Sequence, residues 1–401
     1  MIFKMKKNIV VCVTGGIAAY KAADLVSKLS KVHNVRVLMT RDAVKFVGSE
    51  TFKILSKNNV YTDVFNDEAK PMHIEIAKWA DIFVVAPASA NTIAKLASGI
   101  CDDMVSLAFL ASKAKKLVVP AMNTAMLENL ATQDNIQTLK DRGIDILDSD
   151  SGLLACGDVG KGKMPDPDRI IDRIDYLLSE KDLKKYKILV TAGHTVEAID
   201  PVRYISNRST GKMGYQIALK AYNRGANVTL IIGPNDLDIK DPFNIINVVS
   251  SKDMYEAVNK EFEGADALIM AAAPADFTPA EYSPEKIKKD DSDNHDIKIK
   301  KTDDIIKSLK DKKDDKVVIG FAAESENVIA NAKKKLLSKG ADMIVANDIT
   351  LKGSGFKSDE NKVSFVYKNK NATSFDLMKK SELADIILDN LAVLLKDRKK
   401  N

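Results

Sequence analysis

Short apolar runs alternate with helix-period stretches along almost the whole chain. Asn8–Val13 is β-branched and apolar, and Thr14-Gly15-Gly16 follows it directly. Ile17–Leu29 repeats its apolar positions with a helical period, and Val35–Met39 is the next strand-like run. Asp81–Ala86 and Lys116–Val119 are later strands, each stopped by a proline (Pro87 and Pro120). Ala90–Ala97 and Asp102–Ala111 read as helices between them. This rhythm predicts an α/β fold built on a doubly wound parallel sheet. The strands are apolar throughout and do not alternate, as expected when helices cover both faces.

The segment Asp148–Asp168 breaks the rhythm. It carries Gly152, Gly157, Gly160, Gly162, Pro165 and Pro167, and reads as a long loop, functional or disordered. Ile170–Leu178 resumes as a helix, and the polar, Lys-rich Ser179–Lys187 suits a linker. A second α/β unit starts at Ile188. It runs strand Ile188–Thr191, a glycine turn, helix Gly211–Asn223 and strand Asn227–Ile232. Asp266–Ala271, Lys316–Gly320 and Asp342–Val345 are further strands. Glu281–Asp304 and Lys310–Asp315 are too polar for a core, and the first has the composition of a solvated insertion. The expectation is two Rossmann-like domains, 1–185 and 186–401, each with a ligand crevice at the carboxyl ends of its strands.

Composition narrows the classes. A length of 401 residues suits two domains. The net charge of +5 comes from interleaved positive and negative side chains, with no basic stripe, which argues against a nucleic-acid partner. No apolar run reaches the roughly 18 residues of a membrane span. The opening MIFKMKKNIVVCVTGG passes straight into a glycine turn, as a first strand does and a signal peptide does not. Three scattered cysteines, Cys12, Cys101 and Cys156, fit neither a disulfide framework nor a zinc knuckle. They suit a reducing cytoplasm.

Candidate chemistry in the first half sits at strand ends. Thr14-Gly15-Gly16 opens a helix, so it is either a tight turn or a phosphate cradle made of backbone N–H groups. GxGxxG is absent there, which disfavours a nicotinamide-dependent reductase. His73 lies just inside a predicted helix, as a surface or capping residue or as a functional one. Ser89 and Asn91 follow a strand among small residues that leave room for a flat ring, and Asn123 ends another strand; each is equally an ordinary turn residue. Cys156 lies in a glycine-rich loop, where a thiol can approach a substrate under a moving lid. Cys12 reads as core and Cys101 as incidental.

GGIAAYK, MHIEIAKWADIFVVAPASANTIAKLASG, LVVPAMN and ACGDVGKGKM, in this order and spacing, resemble the flavin-dependent cysteine decarboxylases. More closely, they resemble the decarboxylase half of the bifunctional coenzyme A biosynthesis family. That resemblance implies FMN as cofactor and 4′-phosphopantothenoylcysteine as substrate. A carboxylate two carbons from a thiol has no electron sink, and flavin-assisted oxidation of the thiol-bearing carbon provides one. By motif match, Cys156 is implied as the proton donor, Asn123 as the residue binding the substrate carboxylate, and His73 as an aid to the oxidative step. Thr14, Gly15, Gly16, Ser89 and Asn91 are implied to lie near FMN.

The second half offers Thr191-Ala192-Gly193-His194-Thr195, then IDPVRYISNRSTGKMG. The Ser-Thr-Gly-Lys run is not a Walker A loop, because no glycine precedes Lys212 at the required spacing. TAGHTVEAIDPVRYISNRSTGKMG, AAAPADF, PEKIKK, VVIGFAAES and ADMIVANDI resemble the phosphopantothenate–cysteine ligase half of the same family. The implied reaction activates the 4′-phosphopantothenate carboxylate with CTP as an acyl-cytidylate, and the cysteine amine then forms the amide. Asn207 is implied to stabilise the activated acyl group, and Asp276, Lys286, Phe321, Lys335 and Lys339 to contact CTP. Lys335 and Lys339, four apart, fall on one helical face. Mg²⁺ is expected with the triphosphate, on ligands the sequence does not identify. Lys286 and its polar surroundings read as a lid. His194 stands where the family commonly has glycine, so strain is expected there if the site needs positive φ.

The resemblance also implies trimers of the flavin domain and dimers of the ligase domain, hence a homo-oligomer as large as a dodecamer. The alternative function is a flavin-binding regulatory protein without decarboxylase activity; the joint presence of His73, Asn123 and Cys156 counts against it.

Overall fold

A computed structural model describes residues 6–65, 71–155, 157–239, 242–288, 296–324, 326–348, 358–368 and 370–398. The chain divides into two compact units, Met1–Ser179 and Glu180–Asn401.

The first unit holds a six-stranded parallel sheet. Its order is Val60–Tyr61, Asn34–Met39, Asn8–Val13, Ile82–Ala88, Lys115–Pro120 and Asp145–Ile146. The first strand is buried on both faces, which is why it reads as a continuous apolar run. Ile9, Val11 and Val13 pack with Leu25, Val26 and Leu29 of the helix Ala19–Ser30. Val10 and Cys12 face the opposite layer, with Ile93, Leu96 and Phe109. A fully buried Leu or Val of this kind contributes about 1.5–3 kcal/mol. Local signals set the helix ends. Ser89 caps Ala90–Ser98 by accepting the Thr92 amide, and Gly99 ends that helix with φ 74°. Asp103 and Ser106 form a capping box on Met104–Ala111.

The second unit repeats the plan. Its sheet runs Asn244–Asn247, Asn227–Ile232, Lys187–Ala192, Ala267–Met270, Val317–Glu324 and Met343–Asp348, all parallel. Val363–Tyr367 and Thr373–Ser374 then extend it antiparallel. The helices Lys212–Asn223 and Lys380–Arg398 cover one face. Ser251–Phe262, Ile305–Ser308 and Val328–Lys339 cover the other. In both sheets the order reverses beside the first strand, and that reversal opens a crevice at the carboxyl edge.

The expected α/β class with two doubly wound parallel sheets is borne out, and four local expectations are corrected. Asp148–Asp168 is not a plain loop: Asp150–Leu153 and Val159–Lys163 form an antiparallel hairpin, whose glycines conceal any strand-like alternation. The polar insertion is tethered: Phe277–Pro279 pairs antiparallel with Ile299–Lys301, and the Thr302 hydroxyl donates to the Ala275 carbonyl at 2.7 Å. The segment read as a linker joins the second core, with Leu183 and Tyr186 buried. Finally, His194 does not carry positive φ; the left-handed residue of that turn is Gly193, at 80°. The antiparallel edge strands and the C-terminal helix add to the elements expected from the sequence.

Arg224 stitches the start of the second unit to its last helix. Its guanidinium grips Asp182 with two bonds, 2.9 and 2.6 Å, and Asp389 with one of 2.7 Å. Arg224→Leu should destabilise the second unit by about 2 kcal/mol. The single tryptophan, Trp79, lies in the first unit, so its fluorescence transition should stay in place while the calorimetric transition of the second unit falls. A shift of both together would contradict this account.

Candidate functional site

At the first switch point, the end of the first strand touches the end of its neighbour. Thr14 is buried; its hydroxyl donates to the Pro87 carbonyl (2.7 Å) and accepts the Ser89 amide (2.9 Å). Thr14 therefore joins the two loops that the sequence placed near FMN. The helix after Gly15-Gly16 has Ala18 at its N-cap and no capping side chain, so the amides of that turn face no side-chain acceptor. Together with the small residues Ala88, Ser89 and Ala90, this fits a phosphate-bearing, planar cofactor. Asn91 is exposed on the first turn of its helix, and His73 is half-buried on the separate helix Met72–Trp79.

Asn123 leaves the strand Lys115–Pro120 and caps the short helix Thr124–Glu128, its side-chain oxygen accepting the Ala125 amide at 2.9 Å. The glycine-rich hairpin lies directly against this turn. The Met122 amide donates to the Gly162 carbonyl (3.1 Å), and the Thr124 hydroxyl to the Lys161 carbonyl (2.8 Å). Asn123 Nδ2 lies 3.4 Å from a carboxylate oxygen of Asp158, near the hairpin tip. The expected PAMN and ACGDVGKG segments thus meet in space. Cys156 itself lies outside the described residues, although the Leu154 amide and the Asp158 carbonyl close the hairpin around its position in the chain (2.8 Å). Asp158 escaped sequence reasoning because nothing in its spacing links it to Asn123. Burial pushes the Cys12 thiol far up; burial first, then the charges of Asp103 and Asp102, raises Cys101.

At the second switch point, a cavity of about 620 Å³ lies along the carboxyl edge. Asn207, Asp276, Phe321, Lys335 and Lys339, five of the residues singled out from sequence, line it. Lys286 is exposed and is not part of this lining. Asn207 Nδ2 donates to the carbonyls of Ala273 and Pro274, both at 3.0 Å, which fixes its amide plane at the crevice. His194 donates from Nδ1–H to the Ser209 carbonyl (2.6 Å), bracing the loop after Asn207. Lys335 and Lys339 do share one helical face, and each is held by an acid: Glu324 at 2.8 Å and Asp304 at 3.2 Å.

Three further lysines line the same cavity beside those named from the sequence: Lys212, Lys301 and Lys380. Lys212 opens its helix and pairs with Asp359 at 2.7 Å; Lys380 opens the last helix and is 5% exposed. Burial, then repulsion from Lys212, holds the Lys380 ammonium below its ordinary range, against the pull of Asp359. Lys335 and Lys339 come from one helical layer, Lys212 and Lys380 from the other, so cationic charge flanks the cavity from both sides of the sheet. Such a site suits a polyanionic substrate. Among the described residues, no group of three or more His, Cys, Asp or Glu is placed to hold a metal ion, and no helix is long and apolar enough to cross a membrane.

Comparison with known proteins follows the same division. A family model described as "Flavoprotein" matches residues 3–179, and one described as "DNA/pantothenate metabolism flavoprotein C-terminal domain" matches 183–394. The chain is 42% identical over 397 residues to the coenzyme A biosynthesis bifunctional protein CoaBC of Bacillus subtilis (strain 168), covering 97% of this chain and 98% of that one. It is 40% identical over 392 residues to the protein of the same name from Escherichia coli (strain K12), covering 96% of each. Among solved structures, the C-terminal domain of a bifunctional CoaBC protein matches at 39% identity and a TM-score of 0.47, covering 54% of this chain and all of that one.

The hairpin makes one prediction. Gly162 has φ 140°, and a Cβ there would sit 2.1 Å from the Met122 carbonyl oxygen. Gly162→Ala should therefore push the hairpin off the Asn123 turn, at a cost of about 1–3 kcal/mol in backbone strain. Carbon dioxide release from 4′-phosphopantothenoylcysteine should fall about a hundredfold with bound flavin unchanged. An unaltered rate would mean that hairpin docking is not needed for turnover.

Proposed function

Because this chain belongs to the bifunctional coenzyme A biosynthesis family, with its flavoprotein decarboxylase and its ligase activities, we propose how its own residues divide the two reactions. Residues 186–401 ligate cysteine to 4′-phosphopantothenate through a CTP-derived acyl-cytidylate. Residues 1–185 then decarboxylate 4′-phosphopantothenoylcysteine to 4′-phosphopantetheine, with the flavin as FMN.

The observation that carries the ligase reading is the cavity lined by Asn207, Asp276, Phe321, Lys335 and Lys339, with lysines from both helical layers. The lysines neutralise the triphosphate and the leaving pyrophosphate, where charge grows in the transition state. Asn207, its amide plane already fixed, orients the activated acyl group. Asp276 and Phe321 hold the nucleoside, and Lys286 reaches the nucleotide from the strap outside the lining. A divalent ion, Mg²⁺, would accompany the triphosphate and offset its charge.

In the first unit, the crevice joining Thr14 to Ser89 supports the flavin assignment. Thr14, Gly15, Gly16, Ser89 and Asn91 would hold the cofactor, which when bound supplies a two-electron acceptor that returns the electrons later. Asn123 would bind the substrate carboxylate, His73 would assist the oxidative step, and Cys156 would supply a proton to the product carbon. The fused enzyme works in the cytoplasm as a homo-oligomer, up to a dodecamer, on small-molecule substrates. A purely regulatory flavin-binding role is not favoured, given whole-length identity of 40–42% to bifunctional enzymes.

The test supplies 4′-phosphopantothenate, cysteine, CTP and Mg²⁺ and follows products by mass spectrometry. Wild type should make 4′-phosphopantetheine. Cys156→Ser should stop at the cysteine adduct or its oxidatively decarboxylated form. If CTP is not consumed, the ligase assignment fails. If Cys156→Ser still makes 4′-phosphopantetheine at the wild-type rate, the thiol is not the proton donor.

A further inference from the structure

Two segments far apart in sequence flank the ligase chemistry: the arm that ends in Asn207 and the strap that carries Lys286. One buried carboxylate touches both. Val196–Ala198 and Tyr204–Ser206 form an antiparallel hairpin, and Asn207 follows it directly. Asp200 sits at the turn of this hairpin, 2% exposed. Its Oδ1 accepts the amides of Val202 and Arg203, each at 2.8 Å. Its Oδ2 accepts the Ile287 amide at 3.2 Å, the residue next to Lys286. Two more bonds run alongside. The Ser283 amide donates to the Ile199 carbonyl (3.0 Å), and the Arg203 guanidinium donates to the Ile287 carbonyl (2.6 Å). The backbone is therefore tied down on both sides of Lys286.

We infer that Asp200 is a positioning residue of the ligase, fixing the backbone at Lys286 to the arm that ends in Asn207. The inference rests on Lys286 contacting the nucleotide. An exposed lysine on a free strap would have to order backbone and side chain together on binding. Anchoring the backbone first leaves only the side chain to order, and holds the nucleotide end and the acyl end of the reaction in one frame. A carboxylate suits the task because its two oxygens accept in different directions. Burial pushes the Asp200 carboxyl up, but the amides of Val202, Arg203 and Ile287 and the charge of Arg203 outweigh it and keep the group ionised.

Asp200→Asn separates the two links. The asparagine oxygen can still accept from Val202 and Arg203, whereas its NH₂ would face the Ile287 amide and the Arg203 guanidinium, donor against donor. The expected result is a rise of about tenfold in the KM for CTP, the worth of a hydrogen bond to a charged group, with kcat little changed. Hydrogen exchange at the Ile287 amide and tryptic cleavage after Lys286 should both quicken. In a Lys286→Met background, Asp200→Asn should add nothing further to the CTP defect.

Multiplying defects would show that Asp200 acts elsewhere and overturn the inference, as would an unmoved KM in Asp200→Asn. If that variant does not fold, Ile287→Pro removes the same donor from the other side and must give the same CTP defect. Should wild type form no cysteine adduct at all, the functional reading itself fails. Should wild type ligate while Lys286→Met leaves the KM for CTP unmoved, the role of Lys286 fails, and this inference with it.

Discussion

Both units depend on one topological constraint. In each sheet, the chain adds strands to one side of the first strand and then returns to build on the other side. Helices must then leave the carboxyl edge in opposite directions, and the loops on either side of the reversal cannot fill the gap between them. In the first unit, Thr14 bridges that gap to Pro87 and Ser89. In the second, the Gly193 carbonyl accepts the Ala273 amide, and Asn207 reaches the carbonyls of Ala273 and Pro274. The same backbone problem has been solved twice, once by a hydroxyl and once by an amide. The amide of Asn207 also borders the cavity of about 620 Å³ in the second unit.

Charge in the ligase cavity is organised as pairs. Lys212, Lys335 and Lys339 each rest on a carboxylate before any substrate arrives. Partly exposed pairs of this kind contribute little to stability. They hold long, flexible side chains at the cavity wall, where the proposed ligase reaction needs phosphate charge to be met. Binding then exchanges one anionic partner for another, which costs less ordering than gathering free lysines. Lys380 differs in its burial: its ammonium donates to the Ser358 carbonyl, and enclosure holds it below its ordinary range despite the pull of Asp359.

Legibility in the sequence followed the physics of each element. The parallel strands could be read because burial on both faces demands unbroken apolar runs, as in Asn8–Val13 and Lys187–Ala192. Motif residues such as Asn207, Phe321 and Lys335 could be read through family resemblance, and five of the six ligase residues share one cavity. The hairpin around Asp150–Lys163 could not, because glycines were chosen there for close approach to the Asn123 turn and leave no hydrophobic period. Nor could Lys380, which opens a C-terminal helix like any surface lysine and acquires its meaning only when that helix packs beside Lys212–Asn223. The tether of the polar insertion combines main-chain pairing with bonds from Asp200, Arg203 and Thr302, and composition records neither the pairing nor the partners.

The burial of Cys12 has a use in chemical labelling. An alkylating reagent attacks the thiolate, and burial keeps Cys12 protonated and out of reach. Cys101 is less enclosed, but burial and two neighbouring carboxylates also disfavour its ionised form. Neither Cys12 nor Cys101 should therefore take up such a reagent quickly near neutral pH. A fluorophore or a mass tag taken up slowly, and faster as the protein unfolds, would then report on the opening of the core around Cys12.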